Sequence, residues 1–183
     1  MIKKLLLSLT AIAISSSIFA QIYVAKTCEV SFFSASPLEN IEAIAKVPKT
    51  FLNISTNDVQ VQITNTAFMF EKPLMQEHFN ENYMESEKFP STTFKGKINE
   101  KVDWTKDGEQ KVTVTGKMSM HGVDKEITIN GVVTIKGGEI SISSKFKVHV
   151  ADYKIKVPSL YIQNIAEDVD VKLNAVMGPI KKN

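Results

Sequence analysis

The chain has 183 residues, with 22 basic side chains against 20 acidic ones and a formal net charge of +2. Such a balance excludes the surplus of positive charge by which a nucleic-acid binder releases counterions, and a lone cysteine, Cys28, excludes an internal disulfide. Every basic residue is lysine, so no guanidinium fork exists to grip a phosphate or carboxylate in bidentate fashion.

The N-terminal stretch has the three regions of a secretory signal peptide: Lys3 and Lys4, an apolar run from Leu5 to Ile14, and a small-residue segment ending at Ala20 before Gln21. The apolar run is too short to cross the ~30 Å hydrocarbon core, so no stable membrane insertion is expected. Residues 1–20 are therefore expected to be removed, leaving 21–183 as one domain, periplasmic or secreted. Loss of Lys3 and Lys4 brings its charge close to zero. Ala25-Lys26-Thr27 lacks the pattern that precedes a lipidated cysteine, and Cys28 is read as a strand residue that packs as a small hydrophobe.

Two segments predict short helices. Ser36-Pro37-Leu38-Glu39 has a capping-box pattern with proline at the first helical position, and Leu38, Ile41 and Ala45 then share one face up to Lys46. Pro73 opens a second helix in which Met75, Phe79 and Tyr83 recur at four-residue steps, ending before Phe89-Pro90. Each has a single apolar face, suited to lying across an opening or flank.

Elsewhere alternation with a period of two dominates, as in Val112-Thr113-Val114-Thr115 leading to Met118-Ser119-Met120, and in Ile140-Ser141-Ile142 leading to Phe146-Lys147-Val148. Strands are predicted near 22–33, 49–56, 58–70, 91–104, 110–120, 124–135, 139–150 and 166–177. The turn pairs Asn57-Asp58, Asp107-Gly108, His121-Gly122 and Gly137-Gly138 join neighbours as antiparallel hairpins. Gly178-Pro179 and the lysines after it read as a frayed tail. Long antiparallel strands with tight turns suit a closed barrel, which has no exposed edges. The fold class is thus all-β, an eight-stranded antiparallel barrel with one or two short helices.

Catalytic and metal-binding patterns are lacking. His78, His121 and His149 fall on a helix, in a turn and on the polar face of a strand; there is no zinc spacing, no nucleophile elbow and no phosphate-cradling loop. Glu85 and Glu87 read as solvated surface. No catalytic residue, metal ligand or cofactor is assigned. Large adaptable apolar groups are abundant on the inward faces instead: Met75, Phe79, Tyr83, Phe94, Ile98, Met118, Met120, Ile142, Phe146 and Val148. An eight-stranded barrel is just wide enough either to fill with side chains or to hold one small ligand. Both a packed structural barrel and a ligand-holding lumen are open on these residues.

Three segments occurring in order carry a family resemblance. Glu77-His78-Phe79-Asn80 through Phe89-Pro90-Ser91-Thr92-Thr93-Phe94 resembles the helix-to-strand signature of the YceI family, Gly116 to Ile129 its central hairpin, and Asp152-Tyr153-Lys154-Ile155 with Ile165 to Val171 its last loop and strand. The match covers about Pro73 to Val176; Thr27-Cys28-Glu29 and Met75-Gln76-Glu77 stand where the family often has a histidine-serine and an arginine-aspartate pair. The resemblance implies an exported, extended, lipocalin-like barrel without enzymatic activity. It also implies the partner, a polyisoprenoid, isoprenoid quinone or fatty amphiphile held for transport, storage or sequestration.

Overall fold

The computed structural model describes residues 22–35, 40–46, 48–156 and 166–180; the expected signal segment and the capping box at Ser36 lie outside them. Among these residues ten strand segments form one antiparallel sheet: β1 (Ile22–Ser34), β2 (Ile41–Lys46), β3 (Lys49–Asn53), β4 (Asp58–Thr64), β5 (Phe68–Phe70), β6 (Ser91–Ile98), β7 (Gly108–Met120), β8 (Val123–Lys136), β9 (Glu139–His149) and β10 (Asp168–Pro179). Their order is β10-β9-β8-β7-β6-β4-β3-β1-β2-β5, and β10 also pairs with β1. That extra pairing closes the sheet into an eight-stranded, lipocalin-like barrel.

Ten segments make eight staves because two staves are interrupted. β1 pairs with β3 at Ile22↔Asn53 and with β2 at Glu29↔Lys46 in one unbroken register, so β2 and β3 are two halves of one stave. The break falls beside Pro48, which has no N–H to give to a ladder. The helix expected up to Lys46 is therefore corrected to a strand: Ala43 and Ala45 are both buried, and Ile44 between them pairs with Ser31. The same residues match a helical face and a strand face, and the free edge of β1 decides for the strand.

The stave expected over 58–70 is likewise split. A 3-10 turn, Asn65–Ala67, separates β4 from β5, which pairs with β2 two residues out of the register that β4 keeps with β3. Asn65, fully buried, holds the break: its backbone N–H donates to Pro90 O at 2.9 Å, its Nδ2 to Phe89 O at 2.6 Å, and its Oδ1 accepts from Thr92 Oγ1 at 3.0 Å.

The strand predicted to 104 ends at Ile98, where the chain leaves the sheet to cross the lower end of the barrel. Asn57 anchors this crossing: its carbonyl accepts from Ile98 N–H, its Nδ2 donates to Glu100 O, and its Oδ1 accepts from Trp104 Nε1. Gly178 and Pro179, expected in a frayed tail, belong to β10 and pair with Val24 and Tyr23. Both tight hairpins at His121-Gly122 and Gly137-Gly138 have two consecutive positive φ values (50° and 72°, 56° and 81°), the twist that matches flanking strands.

The lower part of the barrel is solid. Leu52 and Met177 are fully buried, and Ile135, Ile140, Val102 and Ala175 belong with them to the buried core. The upper part, where β1, β7 and β9 end, carries the helix.

Candidate functional site

α1 (Pro73–His78) starts with proline at its first position and passes into a single π turn, Phe79–Tyr83. It follows β5 directly and lies across the upper end. Met75, His78 and Phe79 fall on one face at three- and four-residue steps, and all three line the interior. Phe79 is the anchor of this lid: its ring centroid lies 5.5 Å from Phe32, 5.6 Å from Phe68 and 5.0 Å from Phe70, separations at which aromatic pairs add attraction beyond buried area. Gln76 Oε1 accepts from Phe70 N–H and Asn80 Oδ1 accepts from Ser86 Oγ, which hold the helix to β5 and to the chain that follows.

That following chain is pinned in turn. His121, in the β7–β8 turn, has Nε2 2.8 Å from Glu85 Oε2 and Nδ1 3.0 Å from Tyr153 O, while Phe89 packs on its ring at 4.6 Å. Glu85, expected on the solvated surface, is half-exposed and tied to this ring; Glu87 is exposed. Lys125 Nζ meets Asp152 at 2.6 Å, and this contact holds the aspartate's carboxyl below its ordinary range.

Beneath the lid lies a cavity of about 690 Å³, within the range of small-molecule sites. Met75, Phe79 and Tyr83, read from helical steps, and Phe94, Met118, Met120, Ile142, Phe146 and Val148, read as inward strand residues, all line it, as does Ile98. Sequence reasoning missed Phe32, Phe68 and Phe70, which with Val30, Val61 and Val133 complete much of the wall. Strand parity continued from Val30 and through Phe68-Met69-Phe70 was the available signal. Two glycines keep the wall thin: Gly96 and Gly116 face each other across β6 and β7, and the Phe94 ring lies over Gly96 where a Cβ would be 2.7 Å from it.

The polar side chains of the lumen are mostly spoken for. Ser34 Oγ accepts from Ala166 N–H, Thr50 Oγ1 donates to Pro48 O and approaches Cys28 Sγ at 3.3 Å, Thr92 serves Asn65, and Ser144 Oγ donates to Asn130 O. Burial pushes the Cys28 thiol up, against the lowering effect of Thr50; it is buried in the core. The three histidines do not converge: His78 is in the lid, His121 in the β7–β8 turn, and His149 pairs with Asp168 at 3.0 Å. Among the described residues no three ligating side chains come together, and no helix is long and apolar enough to cross a membrane.

The YceI-like domain model matches residues 27–177, nearly all of this barrel. The chain belongs to the YceI-like domain family. Solved structures share its fold at low identity. A polyisoprenoid binding domain from Saccharophagus degradans superposes with a TM-score of 0.74 at 15% identity, covering 88% of this chain and 99% of that one. BcnA from Burkholderia cenocepacia gives 0.69 at 15%, covering 81% and 95%, and the YceI protein of Campylobacter jejuni 0.54 at 21%, covering 74% and 81%. No curated protein matches the sequence.

Proposed function

We propose that this YceI-like protein is an exported, non-enzymatic carrier that holds one long apolar amphiphile, an isoprenoid or fatty chain, in its lumen for transport, storage or sequestration. The observation that carries the reading is the cavity of about 690 Å³, walled by apolar side chains whose neighbouring hydroxyls are engaged within the protein. A lumen that offers area and few hydrogen bonds selects by hydrophobic burial. Met75, Phe79, Tyr83, Phe94, Met118, Met120, Ile142, Phe146 and Val148 are the proposed contacts. The printed description of the Saccharophagus degradans domain as polyisoprenoid binding supports the ligand class by analogy. Export is supported by the three signal regions before Gln21.

The deciding experiment is solvent extraction of the purified mature protein followed by mass spectrometry. A co-purifying long-chain amphiphile near one equivalent is expected; protein that neither carries one nor takes one up from lipid extract would be a filled structural barrel. N-terminal sequencing from the cell envelope is expected to begin at or near Gln21, and an intact Met1 there defeats the export reading.

A further inference from the structure

We infer that His78 is the head-group contact of the lumen: its imidazole donates a hydrogen bond to an oxygen acceptor on the polar end of the amphiphile, whose tail runs down the barrel. This assignment rests on the lumen's holding such a ligand.

Orientation follows from where hydrogen bonds remain to be made. Thr50 and Ser144 below the lid, and Ser34 and Thr92 at its level, already have protein partners for their hydroxyls. Beyond them the floor is the close-packed layer around Leu52 and Met177. A polar head placed there would lose its water and gain no hydrogen bond in return. An apolar tail has no such cost, so the tail goes down and the head stays at the lid.

At the lid, His78 is out of keeping with its surroundings. It shares the lumen-lining face of α1 with Met75 and Phe79, a face that packing alone would make apolar throughout. His121 and His149 each have an acidic partner. The His78 ring, half-buried and lining the cavity, makes no hydrogen bond or ion pair among the described residues. Either tautomer of the imidazole carries one N–H, and the head it meets through that N–H is an acceptor: a carbonyl or a phosphate oxygen, which have the same hydrogen-bonding chemistry toward it.

The test uses the delipidated mature protein and three isoprenoids of about twenty carbons, the size the cavity admits at roughly 30 Å³ per carbon-sized group: a hydrocarbon with no head, a ketone and a phosphate monoester. Affinities are read by displacement of a fluorescent apolar probe in wild type, His78→Phe and His78→Gln, each shown to be folded by thermal unfolding. Phenylalanine keeps the ring and removes the donor; glutamine restores an N–H. His78→Phe is expected to weaken the headed ligands roughly three- to tenfold, the size of one net hydrogen bond, to leave the hydrocarbon unchanged, and to be rescued by His78→Gln. Loss confined to the ketone assigns a neutral head and loss confined to the phosphate an anionic one. Equal loss on all three ligands makes His78 a packing residue and overturns the proposal, as does no loss on either headed ligand. Wild type that takes up none of the three fails the lumen reading itself, whereas binding without head discrimination fails only the assignment to His78.

Discussion

His121 Nε2 stands 2.8 Å from Glu85 Oε2, joining the β7–β8 turn to the chain that follows the lid. Both residues have left-handed backbones, with φ of 50° and 43°, and the histidine side chain is only 9% exposed. Removing the acid leaves a buried ring nitrogen without its partner. Glu85→Ala is expected to cost about 1–2 kcal/mol in urea unfolding, and to speed release of any lumen ligand because the lid is tethered through this bond. Unchanged stability and release would show that the ring holds its place through Tyr153 and Phe89 alone.

Gly116 tests the close approach of β6 and β7. A Cβ there would lie 2.3 Å from Gly96 Cα and 2.3 Å from Lys95 O, both backbone atoms that cannot swing aside. Gly116→Ala is expected to lower stability by about 2–3 kcal/mol. Gly137→Ala meets open space at φ 56°, and should cost about 1 kcal/mol for the left-handed backbone alone. Calorimetric unfolding of the two variants compares clash with conformation.

Depth in the lumen separates two methionines. Met118 is 6% exposed, whereas Met120 is partly buried at the end of β7 near the lid. An ammonium at Met118 has no partner and no route to water, while a lysine at Met120 can extend its head toward solvent. Met118→Lys should abolish uptake of an apolar ligand and destabilise the fold; Met120→Lys should weaken uptake and stay closer to wild type. Equilibrium binding on protein shown to be folded by circular dichroism checks the order.

Tail length should govern affinity. Each five-carbon unit buried contributes a gross transfer energy of about 3–4 kcal/mol, reduced in net affinity by the ordering of a flexible chain. Affinity should climb with tail length and level off near twenty carbons, where about 690 Å³ is filled at roughly 30 Å³ per carbon group. A series of prenyl alcohols of increasing length in one displacement assay reads the plateau; affinity indifferent to length would place the ligand at the mouth.

Acid should loosen the fold through its surface carboxylates. Hydrogen bonds from Lys117 and Ser119 hold Asp124 below its ordinary value, Lys125 does the same for Asp152, and Thr113 for Glu100. Depressed folded values contribute stability that is present above the unfolded range, near pH 4, and lost as pH falls through the folded values. The Tm should hold from pH 7 to about pH 5 and decline below about pH 4. The Asp124→Asn, Asp152→Asn double variant should melt lower than wild type at neutral pH and converge with it in acid. As all three groups are exposed, the effect is modest.

Alternation by itself determined much of this protein. A period of two in Val112–Met120 and Ile140–Val148 assigns each side chain to a face without knowledge of its neighbours, which is why the barrel, its inward residues and the hairpins at His121 and Gly137 were legible. Pairing decided the rest. Ile41–Lys46 satisfies a helical and an extended pattern alike, and only the free edge of β1 makes it a strand. Whether Phe32, Phe68, Phe70 and Phe79 fill the lumen or wall it depends on distances across the barrel, which no local pattern encodes. The engagement of Ser34 and Thr50, and the meeting of Glu85 with His121, join residues 132, 2 and 36 positions apart. The Ser34 contact exists because closure pairs β1 with β10 and the Glu85 contact because β6 pairs with β7, while His78 stays on the lid, lining the lumen.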